Sequence, residues 1–277
     1  MNQCIITLSM SLKKKLDAGK RIYGTVIVSS SSVWAEAVRQ ANLDFVFIDT
    51  EHMPLGRETV ANMCALYSAM GISPMVRIPS PDPYIACTAL DGGASIILAP
   101  YIETAEQVKE LVGAVKYRPL KGEKLQQILD GNETMDEKLK NYIDERCKEN
   151  LLFINIESMP AVDNLSELLS VPGLDGVIIG PHDLSCSMGL PEEYTNPVFE
   201  EMVSRIINEC KQRNLGIGIH LSGEPEQQVK WARKGANIIS HSSDISLFRK
   251  ILKHEISTIQ TELGDDPGNT GHHSITI

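Results

Sequence analysis

Seven times in this chain a short apolar run stops abruptly on polar side chains: FVFIDTEH, VRIPSPD, IILAPYIE, LLFINIES, VIIGPHD, GIGIHLS and IISHSSD. Each run is too short for a typical helix and rich in branched or aromatic residues, the mark of a buried strand. Strands apolar at successive positions are covered on both faces, which is the habit of parallel sheets flanked by helices. With residues 23–28 as a further strand, the chain reads as eight strand-then-helix units. The natural closure of eight such units is an α/β fold, the (β/α)8 barrel, with an open doubly wound sheet as the alternative. Barrels of this kind keep their chemistry at the C-terminal ends of the strands, which is where the polar residues crowd.

The units follow in order. A leading helix within residues 1–20 closes on Gly19, and the serine cluster 29–32 is placed to cap a helix running to Gln40. Strands are expected at 23–28, 43–49, 74–78, 94–99, 151–156, 176–179, 216–219 and 237–240. Helices are expected at 57–70, 81–90, 104–116, 161–170, 197–213, 226–234 and 245–263, the third opened by a Thr104–Gln107 capping box. Residues 117–150 break the rhythm with a charged excursion, either a lid over the site or a solvated detour. A single domain over 1–263 is expected, followed by a tail, 264–277, with turn formers, no periodicity and a His272-His273 pair, which reads as disordered.

A net charge of −10 disfavours nucleic acid and anionic membranes as partners, since both reward a basic face. The six cysteines are scattered without a CxxC pair, so they read as thiols of a reducing cytoplasm. The apolar residues 4–10 precede Lys13–Lys15 rather than follow them, the reverse of a secretory signal, and no run approaches membrane-spanning length.

The strand ends hold the candidate chemistry. Glu157 and Asp183 directly follow neighbouring strands; two carboxylates with room for water and a chelating ligand suit a hard divalent cation. The structural alternative makes each a salt-bridge partner or cap, Asp183 capping the segment 184–188. Arg77 ends a strand and needs an anion, either Asp49 or Glu51 as a structural pair or a substrate oxygen that becomes charged. His52, three residues after Asp49, suits an oriented acid or base. His182, His220 and His241 lie at the same rim with weaker claims. No apolar run ends on lysine, so a Schiff base is not expected. GxxxxGK and GxSxG motifs are absent, and Gly216-Ile217-Gly218 lies inside a strand.

The stretches FVFIDTEHMP, MVRIPS, ALDGGASIILAPYIET, INIES and LDGVIIGPHDLSCSMG resemble the HpcH/HpaI family of metal-dependent aldolases, which includes 4-hydroxy-2-oxoheptanedioate and 2-keto-3-deoxy-sugar-acid aldolases. The resemblance runs from about Gly24 to Asp244. It implies a barrel of the phosphoenolpyruvate/pyruvate superfamily type, with Mg²⁺, Mn²⁺ or Co²⁺ on Glu157 and Asp183. Pyruvate would chelate the cation, in a pocket to which Pro181 and His182 belong. Arg77 would hold the enolate oxygen, and His52, supported by Asp49, would move the proton. Asp91 matches a position that shapes the site across a subunit contact. Family members exchange the last helix between subunits and form hexamers, so a homo-oligomer is expected.

The chain also departs from the family. Lys121-Gly122-Glu123-Lys124 stands where a glycine–arginine–glycine loop is usual, Val26 replaces a tryptophan, Asn155 a glutamine, and 240–243 a glycine-rich turn. The pyruvate half is therefore expected to be kept and the aldehyde half changed. The leading function is a class II pyruvate aldolase acting on a small keto acid and an aldehyde. The alternatives are a lyase of acyl-CoA thioesters like citrate lyase β chains, and a non-catalytic barrel that keeps its metal ligands.

Overall fold

The computed structural model describes residues 10–265. Eight parallel strands close into a barrel in sequence order, β1 to β8, with β8 pairing back onto β1. The first half runs α1 (Leu12–Asp17), β1 (Ile22–Ile27), α2 (Ser32–Arg39), β2 (Phe45–Asp49), α3 (Arg57–Ala69), β3 (Ser73–Arg77), α4 (Pro83–Asp91), β4 (Ile96–Ala99) and α5 (Ala105–Lys116). Then come α6 (Gly122–Leu129), α7 (Glu137–Cys147), β5 (Leu151–Ile156), α8 (Met159–Asp163), α9 (Leu165–Leu169), β6 (Gly176–Ile179) and α10 (Pro181–Ser187). The chain finishes on α11 (Pro197–Gln212), β7 (Gly216–Leu221), α12 (Pro225–Lys234), β8 (Ile238–Ser243) and α13 (Asp244–Leu263). Among the described residues no helix is long and apolar enough to cross a membrane.

Strand alternation divides the apolar residues into two cores. Val26, Phe45, Phe47, Met75, Ile96, Leu98, Phe153, Ile178 and Ile238 fill the bore, with Leu16 of α1 joining them from below. Ile48, Val76, Ile97, Ile154, Ile179 and Ile219 pack outward against the helices. α1 is fastened under the barrel by Lys13 Nζ, 3.0 Å from Asp175 Oδ1, and by the Lys15–Asp44 pair.

Several expectations are corrected. Ser31 is the N-cap of α2, but its side chain makes no capping bond; instead its N–H donates to Ser29 Oγ at 3.3 Å. The helix expected at 161–170 is two, broken at Asn164, whose side chain donates to the Glu103 carbonyl at 2.9 Å. Asp183 does not cap 184–188, because α10 starts at Pro181 and holds Asp183 within its first turn. Residues 117–150 form α6 and α7 rather than a lid. They join the lower end of α5 to the start of β5, the face opposite the strand C-termini, so this chain cannot fold them over its own mouth. α6 lies on α5 because residue 113 is glycine: a Cβ there would stand 2.9 Å from Leu129 Cδ1. Of the tail expected at 264–277, Gly264 is the left-handed cap of α13 and Asp265 follows it; the rest, with His272-His273, lies outside the described residues, as does Cys4.

Candidate active site

The parallel register sets Asp49 directly beside Arg77 at the ends of β2 and β3. Arg77 Nε donates to Asp49 Oδ1 and Nη2 to Oδ2, both at 2.8 Å, a bidentate fork. Asp49 Oδ1 also accepts the Glu51 N–H at 3.0 Å. Burial alone would push the Asp49 carboxyl up, but the hydrogen bonds and charge of Arg77 together outweigh it and hold the acid below its ordinary range. Burial pulls the guanidinium down, and Asp49 and Glu51 more than compensate, so it stays charged. Arg77 Nη1 approaches Glu51 Oε2 at 3.1 Å, yet out of line, so that buried oxygen accepts no hydrogen bond. The guanidinium carbon stands 5.3 Å over the Phe47 ring, which fixes its lower side.

Across the mouth, Glu157 follows β5 and is buried, accepting the Tyr101 N–H at 2.7 Å. Asp183, exposed in the first turn of α10, favours the positive end of that helix. Gly180 lies between the two acids: a Cβ there would come 3.0 Å from Glu157 Oε2 and 3.8 Å from Asp183 Oδ2. The missing Cβ keeps open a small space that both carboxylates face. Burial first, then the negative charge of Glu51 and Asp183, pushes Glu157 up to about 7 against the opposing Tyr101 N–H. Arg77, committed to Asp49, offsets this only in part.

These residues fit a hard divalent cation: two oxygen donors around an open gap, with excess negative charge to neutralise. Among the described residues no three or more His, Cys, Asp or Glu side chains gather as a metal cluster. A two-carboxylate donor set leaves the other positions of an octahedron to water and substrate oxygens.

The histidines separate. His52 is half exposed, its Nε2 3.7 Å from Glu51 Oε1. The His52–Asp49 pair expected from their spacing is not made, because Arg77 and the Glu51 N–H occupy Asp49. His182 is exposed beside Pro181, with Nδ1 3.7 Å from Glu192 Oε1. His220 points into the bore, edge-on to Phe47 with ring centroids 5.6 Å apart. The residue is partly accessible, but its Nε2 is sealed and unpartnered. Burial, reinforced by Arg77, lowers His220 to about 4, so it is neutral. His241 lies near Lys250 and Glu224 rather than in the bore. Asp91 ends α4 at the lower face, its exposed carboxylate 3.3 Å from Arg118, and this chain does not bring it to the mouth.

Sequence reasoning missed Tyr101, whose backbone holds Glu157, and Gly180, whose missing side chain separates the acids. The signal for both was present, since each lies within two residues of a strand end. Glu51 was read only as a structural partner of Arg77, although it also borders Tyr101 and His52.

The model of the HpcH/HpaI aldolase/citrate lyase family matches residues 23–250. A 2-keto-3-deoxy-L-rhamnonate aldolase of Klebsiella pneumoniae is 28% identical over 265 residues, covering 96% of this chain and 98% of that protein. A 2-dehydro-3,6-dideoxy-6-sulfogluconate aldolase of Pseudomonas putida is 30% identical over 224 residues, 81% of this chain and 87% of that protein. The crystal structure of an HpcH/HpaI aldolase from Desulfitobacterium hafniense superimposes with a TM-score of 0.79 at 26% identity, covering 91% of this chain and 97% of that one.

Proposed function

The chain belongs to the HpcH/HpaI aldolase/citrate lyase family, whose members are in general divalent-metal dependent, and from that premise we propose a class II pyruvate aldolase. It cleaves or forms the bond between the enolate carbon of pyruvate and an aldehyde, on 4-hydroxy-2-oxo or 2-keto-3-deoxy acids. The observation that carries this reading is the gap at Gly180, where Glu157 and Asp183 face one space across the mouth from a fixed arginine.

Glu157 and Asp183 would hold Mg²⁺, Mn²⁺ or Co²⁺. When bound there, the cation supplies Lewis-acid polarisation of the 2-oxo acid and neutralises the two carboxylates. Arg77 has two of its five N–H donors committed to Asp49. Its outer donors are free for the substrate oxygen that becomes negative in the enolate, and the Asp49 fork keeps them aimed without reorganisation. His52 is accessible at the rim and is the group to move the proton, with Glu51 rather than Asp49 as its acidic neighbour. Pro181 and His182, at the start of α10, would border the substrate beside Asp183.

We further propose a homo-oligomer. α13 buries only Asp244, while Leu247, Phe248, Ile251, Leu252, Ile256 and Ile259 remain 42–54% exposed. Beside it, Leu247, Phe248 and Ile251 line an open groove of about 770 Å³ together with Trp34, Val38 and Leu43 around α2. A second copy fits the unpartnered face, and exchange of α13 into a hexamer, as in the family, is the assembly we expect. Asp91 would then serve a neighbouring mouth. Cys64, Cys87, Cys147, Cys186 and Cys210 are free thiols, which suits work in the cytoplasm.

The test is pyruvate release from a panel of 4-hydroxy-2-oxo acids, before and after chelation. Chelation should abolish release and added divalent cation should restore it. A pyruvate adduct trapped on the protein by borohydride would refute the class II assignment. Turnover of acyl-CoA thioesters alone would replace it with the citrate-lyase-like reading.

A further inference from the structure

α10 carries a second pair of side chains able to bind a metal, on a different face from Asp183. His182 and Cys186 are four residues apart, so they share one face of the helix, and both are exposed. Cys186 Sγ stands 4.0 Å from His182 Nε2. Asp183, one residue on from His182, projects about 100° further round the helix and faces the gap it shares with Glu157.

The other side of the imidazole is built as well. His182 Nδ1 lies 3.7 Å from Glu192 Oε1. Ser185, fully buried, ties the two residues together: its hydroxyl donates to the His182 carbonyl at 2.8 Å and accepts the Glu192 N–H at 3.1 Å. Glu192 is held there at a φ of +60°, in the left-handed region that strains a residue with a Cβ. A carboxylate beside Nδ1 favours the tautomer with its proton on that nitrogen, which leaves the Nε2 lone pair facing the thiol.

Imidazole nitrogen and thiolate sulfur are the donors of a borderline-soft cation, unlike the two carboxylates at Gly180, which suit a hard one. Zn–S and Zn–N bonds of about 2.3 and 2.0–2.1 Å place the two donor atoms about 3.6 Å apart at a tetrahedral angle. The observed 4.0 Å therefore closes with a shift of a few tenths of an ångström, which exposed side chains supply easily. A two-residue donor set leaves the other positions to water, in keeping with the lack of a three-residue cluster among the described residues.

We propose that His182 and Cys186 form a second cation site, oriented by Glu192, for a borderline-soft divalent ion such as Zn²⁺ or Cd²⁺, and that its filling inhibits the enzyme. On binding, the thiol releases its proton to solvent, and Sγ and Nε2 each donate a lone pair to the ion. Binding follows from the geometry alone. Inhibition rests on the aldolase reading above, in which His182 borders the substrate: a filled site turns the imidazole to the ion and adds positive charge at the rim beside Asp183.

The experiment uses full-length wild type, Cys186→Ser and Glu192→Gln, all in saturating Mg²⁺ so that Glu157 and Asp183 are occupied. Cd²⁺ is titrated first, followed by the ultraviolet charge-transfer absorption from thiolate to cadmium, which oxygen ligands do not give. Wild type should develop the band, Cys186→Ser should lack it, and Glu192→Gln should need about tenfold more Cd²⁺, the usual worth of an orienting carboxylate. Zn²⁺ is then titrated against pyruvate release from 4-hydroxy-2-oxopentanoate. Cys186→Ser should match wild type without Zn²⁺ and resist the concentration that half-inhibits wild type. A band that survives in Cys186→Ser, or its absence from wild type, overturns the site. An unchanged Cd²⁺ requirement in Glu192→Gln overturns the orienting role of that acid. Equal inhibition of wild type and Cys186→Ser overturns the regulatory role, because it places the inhibitory ion on Glu157 and Asp183. A wild type that releases no pyruvate even without Zn²⁺ overturns the aldolase reading, and the cadmium band still decides the site.

Discussion

Without metal, the contribution of Glu157 to folded stability should fall as pH rises through the range in which it ionises. Glu157 is lifted from its ordinary 4.5 to about 7, by burial first and then by the charges of Glu51 and Asp183. A carboxyl with a raised folded pKa holds its proton more tightly folded than unfolded. Between about pH 4.5 and 7 this group therefore carries more protons in the folded state, and linkage makes its contribution fall with rising pH. The difference between 4.5 and about 7, at 1.36 kcal/mol per unit, is roughly 3 kcal/mol. Above about pH 7 the loss is complete and the curve levels. Asp49 works in the opposite sense, since its acid is held below the ordinary range by Arg77: its contribution is lost as pH falls below about 4. His220, lowered to about 4 in the folded state, works against this over about pH 4 to 6.5, so the readout is a difference: in urea unfolding in chelator from pH 4 to 8, wild type should lose stability relative to Glu157→Gln as pH rises. Glu157→Gln can still accept the Tyr101 N–H, and at pH 8 without metal it should be more stable than wild type by up to about 3 kcal/mol. Saturating Mg²⁺ should remove most of the wild type's deficit, because the cation favours the ionised carboxylate. A difference between wild type and Glu157→Gln that stays constant between pH 5 and 7 would refute this account of the site.

Two further outcomes follow from other contacts. Arg77→Lys keeps a charge but loses the fork to Asp49, so pyruvate proton exchange should fall about a hundredfold, equivalent to roughly 3 kcal/mol. A mutant that exchanges at the wild-type rate would remove Arg77 from the chemistry, and one that fails to fold would make it a structural pair. Phe248→Asp puts a charge on the exposed face of α13, and light scattering should show smaller species than wild type. A folded, active wild-type monomer would refute the oligomer.

The barrel was legible because its signals are local and repeated: buried parallel strands must be apolar throughout, and each is punctuated by polar residues where it emerges. Glu157 and Asp183 were metal-ligand candidates for the same reason. The partner of Asp49 was legible only as an ambiguity. Sequence spacing put His52 three residues away, while the register β2 to β3 places Arg77 directly alongside, and a buried guanidinium with two parallel bonds wins over a half-exposed imidazole. The excursion at 117–150 was legible as an insertion but not by position, since which end of the barrel it decorates follows from the direction of α5 and β5. Tyr101 was hidden because it supports Glu157 through its backbone N–H, which no side-chain pattern reports.

Rigidity differs between the two halves of the mouth, and that difference bears on substrate choice. Asp49 and Arg77 belong to adjacent strands, and Glu157 emerges directly from a third, so their spacing is fixed by sheet hydrogen bonds. Tyr101, His52 and His182 lie just beyond strand ends and are about half exposed, where a side chain can change without disturbing the ladder. Four acids, Asp49, Glu51, Glu157 and Asp183, face one guanidinium at this mouth, a balance that becomes favourable once a divalent cation is bound. On the proposed reading, the enolate chemistry common to every 2-oxo acid falls to the rigid and charged part. Selection among aldehydes falls to the exposed part, where a side chain can be replaced while the enolate step is left standing.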